Sequence, residues 1–479
     1  MANLSRRNWM ATLALAGVSS RGGRSRGGAM PGAGMPVGQP LVGVPPVSHF
    51  ARNVLGFGAK GDAKTDNTPA FQKALDAVHS AGGGIVHVPA GRYWFKGHLT
   101  MPAYTTLEGV FHAPPALFPY ASGYGPASMG GTLLLATEGR GHPDGPPFIG
   151  VNGDNCTIRG LGIYYPEQAP NAPEPAPYPW AIRAAPINAT TDDFAMTDVA
   201  VVNPYQAINL TGAARHYVAR VYGQPMKTGI FVDNCHDVGR IENIHFFPFW
   251  SYPNDKGNVL MNQWKQKNGT AFVFGRSDWQ YVLNTFCYGY HIGYHFIMTA
   301  EGGSSGNFLG LGADGAFFGL VVDGADPNGQ PLQFTNCNFD GYNYGYPGGA
   351  EAQGFVIGPK NRSTVAMNNC GLWGPSKRCG TIQGTGPVSL IGCTFTGWDA
   401  GNHGEPAILC DGPSTTIIGC QLQDLNGTAG RKKAVGMTKR CATAVITGNT
   451  IQGDAFVVDR PGPLPKSKFQ IHSNVATGG

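Results

Sequence analysis

The sequence predicts an all-β protein: a single-stranded right-handed parallel β-helix of about 12 coils with an N-terminal capping helix. Three observations predict it. A six-residue apolar pattern recurs along the chain, a second strand pattern follows most copies, and one amphipathic helix precedes them all. A chain with this organisation stacks its coils about 4.8 Å apart and forms one continuous domain.

The six-residue repeat reads apolar, any residue, Asn or Gly or a small residue, Cys or apolar, any residue, apolar. Twelve copies start between Ile158 and Ile471, and most of the intervals between them are 22 to 33 residues. Alternation of side chains predicts that one set faces the core of the coil and the other faces outward. The fourth position of four successive copies is a cysteine, so we expect a stacked apolar column rather than disulfides: Cys337, Cys370, Cys393 and Cys420.

A second strand follows, in which Ala or Gly precedes apolar, any residue, apolar, as in AINLT from Ala207 and GYHFI from Gly293. Several of these strands end in aspartate, which indicates a repeated turn position: Asp233, Asp323, Asp411 and Asp459.

The helix is predicted after the acidic loop at residues 57–67. Thr68 is the expected N-cap and Pro69 the first helical residue, while Phe71, Ala74, Leu75 and Val78 repeat with helical spacing. The loop does not fit the calcium-loop spacing, so no cofactor is predicted and calcium is not indicated.

The run at residues 53–95 closely resembles the opening of the pectate-lyase-like superfamily, in the branch of rhamnogalacturonases, epimerases and phage tailspikes. The resemblance implies an N-terminal cap on a right-handed parallel β-helix. It leaves the reaction open, because that superfamily contains hydrolases, lyases, epimerases and non-catalytic binders.

The first 48 residues differ in composition from the rest. Residues 1–30 carry twin arginines before a short apolar run, which indicates an export signal of the twin-arginine type. Residues 31–48 are predicted to be a flexible linker, and residues 49–479 are predicted to be the β-helix domain. We therefore expect a periplasmic or extracellular protein without a membrane span. The net charge of +5 is accounted for by five arginines in the first 30 residues, so no nucleic-acid-binding surface is indicated.

Four long insertions interrupt the repeat, all between the first and second strand of a coil. They cover residues 164–180, 246–269, 340–353 and 396–406. We expect their aromatic residues, among them Trp250 and Trp264, to wall a groove, because aromatic faces suit sugar rings.

Candidate catalytic residues cluster around the longest insertion. They are Glu242 and His245 in IENIHF, His295 in GYHFI, Asp278, and Asp233 as a weaker candidate because it matches the repeated turn position. The nearby basic residues are candidates for substrate binding: Lys227, Arg240, Arg276 and His291.

These residues predict an enzyme that cleaves a polysaccharide. The acids that polygalacturonases place before the second strand are absent, and the edge is basic, which favours β-elimination of a uronate polymer. A glycoside hydrolase is the alternative and requires two carboxyls about 5 Å or 6.5–9.5 Å apart, for which Glu242 with Asp233 or Asp278 are the candidate pairs. A non-catalytic glycan-binding spike, assembled as a homotrimer, is the second alternative.

Overall fold

The computed structural model describes residues 51–110, 130–251, 260–342, 351–423, 433–452, 458–459 and 462–477. The predicted export signal at 1–30 and the linker at 31–48 lie outside the described residues. Residues His49–Gly479 form one compact unit. Within the described part, neither α-helix has the length and apolar character that a membrane crossing requires.

Two long parallel sheets build the molecule, as the repeat predicts. Sheet A has 27 strands: Ala51–Asn53, Asp62–Asp66, Gly84–His87, Gly91–Phe95, Thr105–Glu108, Thr132–Ala136, Thr157–Tyr164, Ala195–Val201, Tyr217–Gly223, Arg240–Glu242, His245–Phe246, Ser277–Leu283, Phe286–Tyr288, Ser304–Leu309, Gly312–Asp314, Leu332–Thr335, Asn338–Asp340, Val365–Asn368, Gly371–Trp373, Val388–Ile391, Thr394–Thr396, Ser414–Ile418, Gln421–Gln423, Thr443–Thr447, Thr450–Gln452, Phe469–His472 and Val475–Thr477.

Sheet B has 13 strands: Leu99–Met101, Ile149–Val151, Trp180–Arg183, Gln206–Asn209, Thr228–Val232, Thr270–Phe274, Ile292–Phe296, Phe318–Val322, Gln353–Ile357, Arg378–Ile382, Ile408–Cys410, Val435–Met437 and Val458–Asp459. A small third sheet pairs Thr191–Asp192 with Ala213–Ala214. Each strand of sheet B hydrogen-bonds to the strand one coil away, which makes the protein a right-handed parallel β-helix.

One residue bends sheet A in every coil. The third position of all twelve repeats has a φ between 49° and 68°, in the left-handed region where Asn and Gly are favoured. This conformation splits the repeat into a first segment and a second segment that meet at a corner, as Ser277–Leu283 and Phe286–Tyr288 do at Asn284. The Asn or Gly preference of the repeat therefore has its cause in the backbone, although Asp198, Arg220 and Ser473 adopt the same conformation.

The fourth position of each repeat faces the core. Cys337, Cys370, Cys393 and Cys420 are buried with free thiols, as predicted. The Cys393 thiol donates to the carbonyl of Met367 in the preceding coil at 3.4 Å. Aromatic rings from sheet B stack in a neighbouring column, where Phe272 and Tyr294 lie 4.7 Å apart.

Helix α1, Thr68–Ser80, packs its apolar face on the first coils, and Phe71 contacts the ring of Phe95 at 4.8 Å. The predicted N-cap is wrong by one residue, because the cap is Asn67. The Asn67 side chain instead bonds the backbone of Lys60, Thr65 and Trp94, so it fixes the loop before the helix.

Helix α2, Leu260–Asn268, lies within the longest insertion and was not predicted from the sequence. It follows residues 252–259, which lie outside the described residues. Met261 and Lys265 are its buried side chains, so the insertion packs against the β-helix.

Candidate functional site

The predicted site residues do not form one cluster. Arg240, Glu242, His245 and Asp278 lie on sheet A, His295 lies on sheet B, and the remainder lie along the two edges between the sheets. The edge with the insertions carries Lys227, Trp250, Trp264 and His291. The opposite edge carries Asp233 and Arg276, and Asp278 follows at the start of the strand Ser277–Leu283.

Glu242 lies on the outer face of the first segment of sheet A, in register with Ala219 of the preceding coil. Its carboxylate accepts a hydrogen bond from the Tyr217 hydroxyl. That bond, followed by burial, raises the pKa of Tyr217. Arg240, exposed and two residues earlier in the strand, is in register with Tyr217. Glu242 is thus part of a polar pair on an open sheet face.

His245 lies in an aromatic cluster on the second segment of sheet A. The rings of Phe249 and Phe286 each lie 5.1 Å from the imidazole, and Phe247 lies 5.8 Å away. Burial among these rings lowers the pKa of His245. These contacts give His245 a packing role, and its catalytic role stays a prediction.

The acidic candidates of the opposite edge hold backbone and neighbouring side chains. Asp233 accepts from the Arg276 N–H at 2.8 Å and from the Thr299 hydroxyl at 2.9 Å. Arg276 in turn pairs with Asp278 at 3.2 Å and donates to the imidazole of His236 at 2.8 Å. Asp233, Asp278 and Arg276 therefore stabilise this turn, and their predicted site roles stay predictions.

The carboxyl pair required for a hydrolase is not formed by Glu242 and Asp278. Glu242 is in register with Leu283, and Asp278 precedes Leu283 by five residues, on the order of 15 Å of strand. Glycosidase carboxyls lie at most about 9.5 Å apart. The Asp233 carboxylate is bound within its turn, and its pairing with Glu242 stays a prediction.

The tryptophans of the insertion fold inward rather than line a groove. Trp250 is only 4% exposed and packs with Met226, Met261 and Tyr164 in a cluster over the second segment of sheet A. Trp264 is half-buried against Tyr205, with ring centroids 6.1 Å apart. This corrects the prediction for Trp250, since a sugar cannot stack on a buried ring.

Among the described residues, His295 forms a histidine–carboxylate pair of the kind that general-base catalysis uses. It projects from the outer face of sheet B, and its Nε2 lies 2.8 Å from Oδ2 of Asp323 in the next coil. The bond from His295 lowers the pKa of Asp323, so the carboxylate stays charged. Because Asp323 accepts, the neutral imidazole carries its proton on Nε2 and keeps a lone pair on Nδ1.

The face around this pair combines aromatic and basic groups. Trp180 and Phe231 form a tilted aromatic pair on the same face of sheet B, with centroids 6.2 Å apart. At the insertion edge His291 stacks on Phe317 at 5.3 Å, and burial lowers its pKa. The Lys227 amine donates to the carbonyl of Asn268 at 2.9 Å, which fixes it to the end of α2.

A cavity of ≈480 Å³ opens at the other end of the strand that carries His295. Met298, three residues after His295, lines it together with Ala325, Pro327, Pro359, Lys360, Arg362 and Thr385. Ala325 follows Asp323 by two residues, so the cavity lies next to the His295–Asp323 pair. The charge of Lys360 also lowers the pKa of Asp323. The cavity thus brings two cations beside a candidate base.

Sequence reasoning missed these cations and the role of Asp323. Asp323 was assigned to the repeated turn position, because its partner lies 28 residues away in sequence and one coil away in space. A usable signal was the polar His295 at an outward position whose neighbours in the column are Val273 and Val321. In the described part of the chain, no three His, Cys, Asp or Glu residues converge as a metal site.

Comparisons with known proteins agree on the fold. The family model described as rhamnogalacturonase A/epimerase, pectate lyase-like, matches residues 51–128. Alginate lyase 7 of Azotobacter vinelandii is 60% identical over 45 residues, which are 9% of this chain and 5% of that protein. The match therefore spans a small fraction of the curated relative.

Two solved structures resemble most of the chain. One is the A-module of the mannuronan C-5 epimerase AlgE6 of Azotobacter vinelandii, with a TM-score of 0.54 and 15% identity over 89% of this chain and 99% of the module. The other is an N-terminal fragment of bacteriophage phi29 gene product 12, with a TM-score of 0.56 and 12% identity over 84% and 66% of the two chains. At these identities the similarity concerns the fold alone.

Proposed function

We propose that the protein, a member of the pectate-lyase-like right-handed β-helix superfamily, is an exported carbohydrate-active enzyme. It cleaves a uronate-containing polysaccharide by β-elimination. The observation that carries the proposal is the His295–Asp323 pair beside a cavity with two cations. The N-terminal similarity to an alginate lyase supports the same substrate class.

The proposed chemistry begins with proton removal. Nδ1 of His295 takes the C5 proton of a uronate, while Asp323 holds the ring and stabilises the imidazolium that forms. The electron pair moves towards the sugar carboxylate, and the positive charges of Lys360 and Arg362 stabilise the negative charge that develops there. A C4–C5 double bond then forms as the C4–O bond breaks, and the departing oxygen takes up a proton.

A hydrolase fits this face less well. Asp233 directly follows Val232, and Asp323 directly follows Val322. Val232 and Val322 belong to one column of sheet B, with Phe274 and Phe296 in the two coils between them. The two aspartates are therefore three coils apart, about 14 Å, beyond the carboxyl separations of glycosidases. We therefore place elimination ahead of hydrolysis.

The test is incubation of the protein with polymannuronate, polyguluronate and polygalacturonate while the ultraviolet absorbance of unsaturated product is recorded. We expect absorbance with at least one polymer, and a loss of at least about 100-fold in kcat for His295→Gln. Asp323→Asn should show a smaller loss, because it retains an acceptor oxygen without the charge. The control His472→Gln removes an exposed imidazole on sheet A and should keep full activity.

Three results would contradict the proposal in different ways. New reducing ends without absorbance would indicate a hydrolase, and a changed ratio of C5 epimers without cleavage would indicate an epimerase that returns the proton. Binding without any turnover would indicate the spike-like alternative, whose fold the phage protein shares. Full activity of His295→Gln would remove His295 from the site.

A further inference from the structure

A larger cavity lies on the same outer face of sheet B, nearer the C-terminal end. Its volume is ≈630 Å³, within the range of small-molecule sites. The lining residues come from the last coils: Pro406, Leu409, Asp411, Lys433, Gly436, Met437, Thr438, Lys439 and Arg440.

The floor of this cavity is apolar and includes Pro406, Leu409 and Gly436. Leu409 and Gly436 continue the outward column of sheet B, which carries His295 and Val321 in earlier coils. A Cβ atom at Gly436 would stand 2.8 Å from Cγ of Pro406. Pro406 therefore packs directly on Gly436, and with Leu409 it forms an apolar surface of the kind that accepts the face of a sugar ring.

The rim of the cavity is mainly cationic. Three of its lining residues are basic and one is acidic. Asp411 accepts from the Arg440 guanidinium at 3.2 Å, and a second Arg440 nitrogen donates to the Gln383 carbonyl at 3.4 Å. Arg440 is thus held in place, while Lys439 is exposed at the rim. An apolar floor under a rim of net positive charge suits a sugar that carries a carboxylate.

The cavity and the His295 site lie along the same outward column of sheet B. Leu409 is four coils from His295 along the column, and Gly436 is five, so the separation is about 19–24 Å. We propose that this cavity is a distal subsite that binds a second stretch of the same acidic polysaccharide whose uronate reacts at His295. The inference rests on the proposed function for its substrate class, and it adds a binding site that holds long chains.

The test uses the full chain carrying His295→Gln, titrated calorimetrically with a trimer and a decamer of mannuronate. We expect the decamer to bind more tightly, because only it reaches both sites. Lys439→Gln, which removes a rim charge, and Leu409→Trp, which fills the floor, should each weaken decamer binding on the order of tenfold. Neither should change binding of the trimer.

The control is Lys468→Gln, which removes an exposed cation outside the cavity and should leave both affinities unchanged. Unchanged decamer affinity in both cavity variants would overturn the subsite, and so would equal weakening of trimer and decamer. Failure of the proposed function is seen separately, as absence of cleavage by the unmodified protein while the cavity-dependent decamer binding persists.

Discussion

The buried amine of Lys265 makes a sharp prediction about pH-dependent stability. Lys265 is 1% exposed, donates to the Tyr288 carbonyl at 2.8 Å and lies 4.1 Å from the Tyr290 ring centroid. Burial lowers its pKa from 10.5 to about 7. Between these two values the Lys265 amine is protonated in the unfolded chain but neutral in the folded protein. The free energy of unfolding therefore falls as the pH drops from 10.5 towards 7.

The magnitude follows from the two pKa values. Between pH 9 and pH 7 the unfolded chain binds almost one proton more than the folded protein, which costs about 2 kcal/mol of unfolding free energy. Lys265→Met keeps the length of the side chain and cannot titrate. We therefore expect the stability of the wild type, relative to this variant, to rise by about 2 kcal/mol between pH 7 and pH 9.

The assay is denaturant unfolding of both proteins at the two pH values, with m-values checked for equality. Lys267→Met serves as the control, because Lys267 is on the same helix but exposed, and it should follow the wild type. Parallel changes in the wild type and Lys265→Met would refute the reasoning, because they would mean that the Lys265 amine does not change its pKa on folding.

Two further predictions concern the coils. Burial raises the pKa of Asp340 to about 8, whereas the same carboxyl ionises near about pH 4 in the unfolded chain. The wild type therefore loses stability as the pH rises from about 5 to 8, and Asp340→Asn, which cannot ionise, should gain up to about 4 kcal/mol over it in unfolding experiments. Equal pH dependence of the two proteins would contradict this. Asn284, with φ 49°, should tolerate Gly within a few tenths of a kcal/mol, whereas Asn284→Ala should cost about 1 kcal/mol, and equal stabilities would argue against a strained corner.

The positions of the site residues on the coil could be predicted, but their partners could not. Alternation within GYHFI is enough to place His295 outward, and the register of sheet B confirms this. Asp323 could not be identified as its partner, because contacts between coils depend on the length of each loop. Trp250 shows the same limit: its aromatic character favoured a sugar platform, but the insertion folds back and buries it.

The sequence by itself determined the coil. Its alternating apolar positions separate inside from outside, and its Asn and Gly residues mark the corners where the backbone must adopt positive φ. Only the tertiary structure decided which side chains meet, since stacking joins residues such as His295 and Asp323 that no local pattern connects. It also decided that α2 lies over the coils and removes the Lys265 amine from water, because burial depends on what packs above a residue.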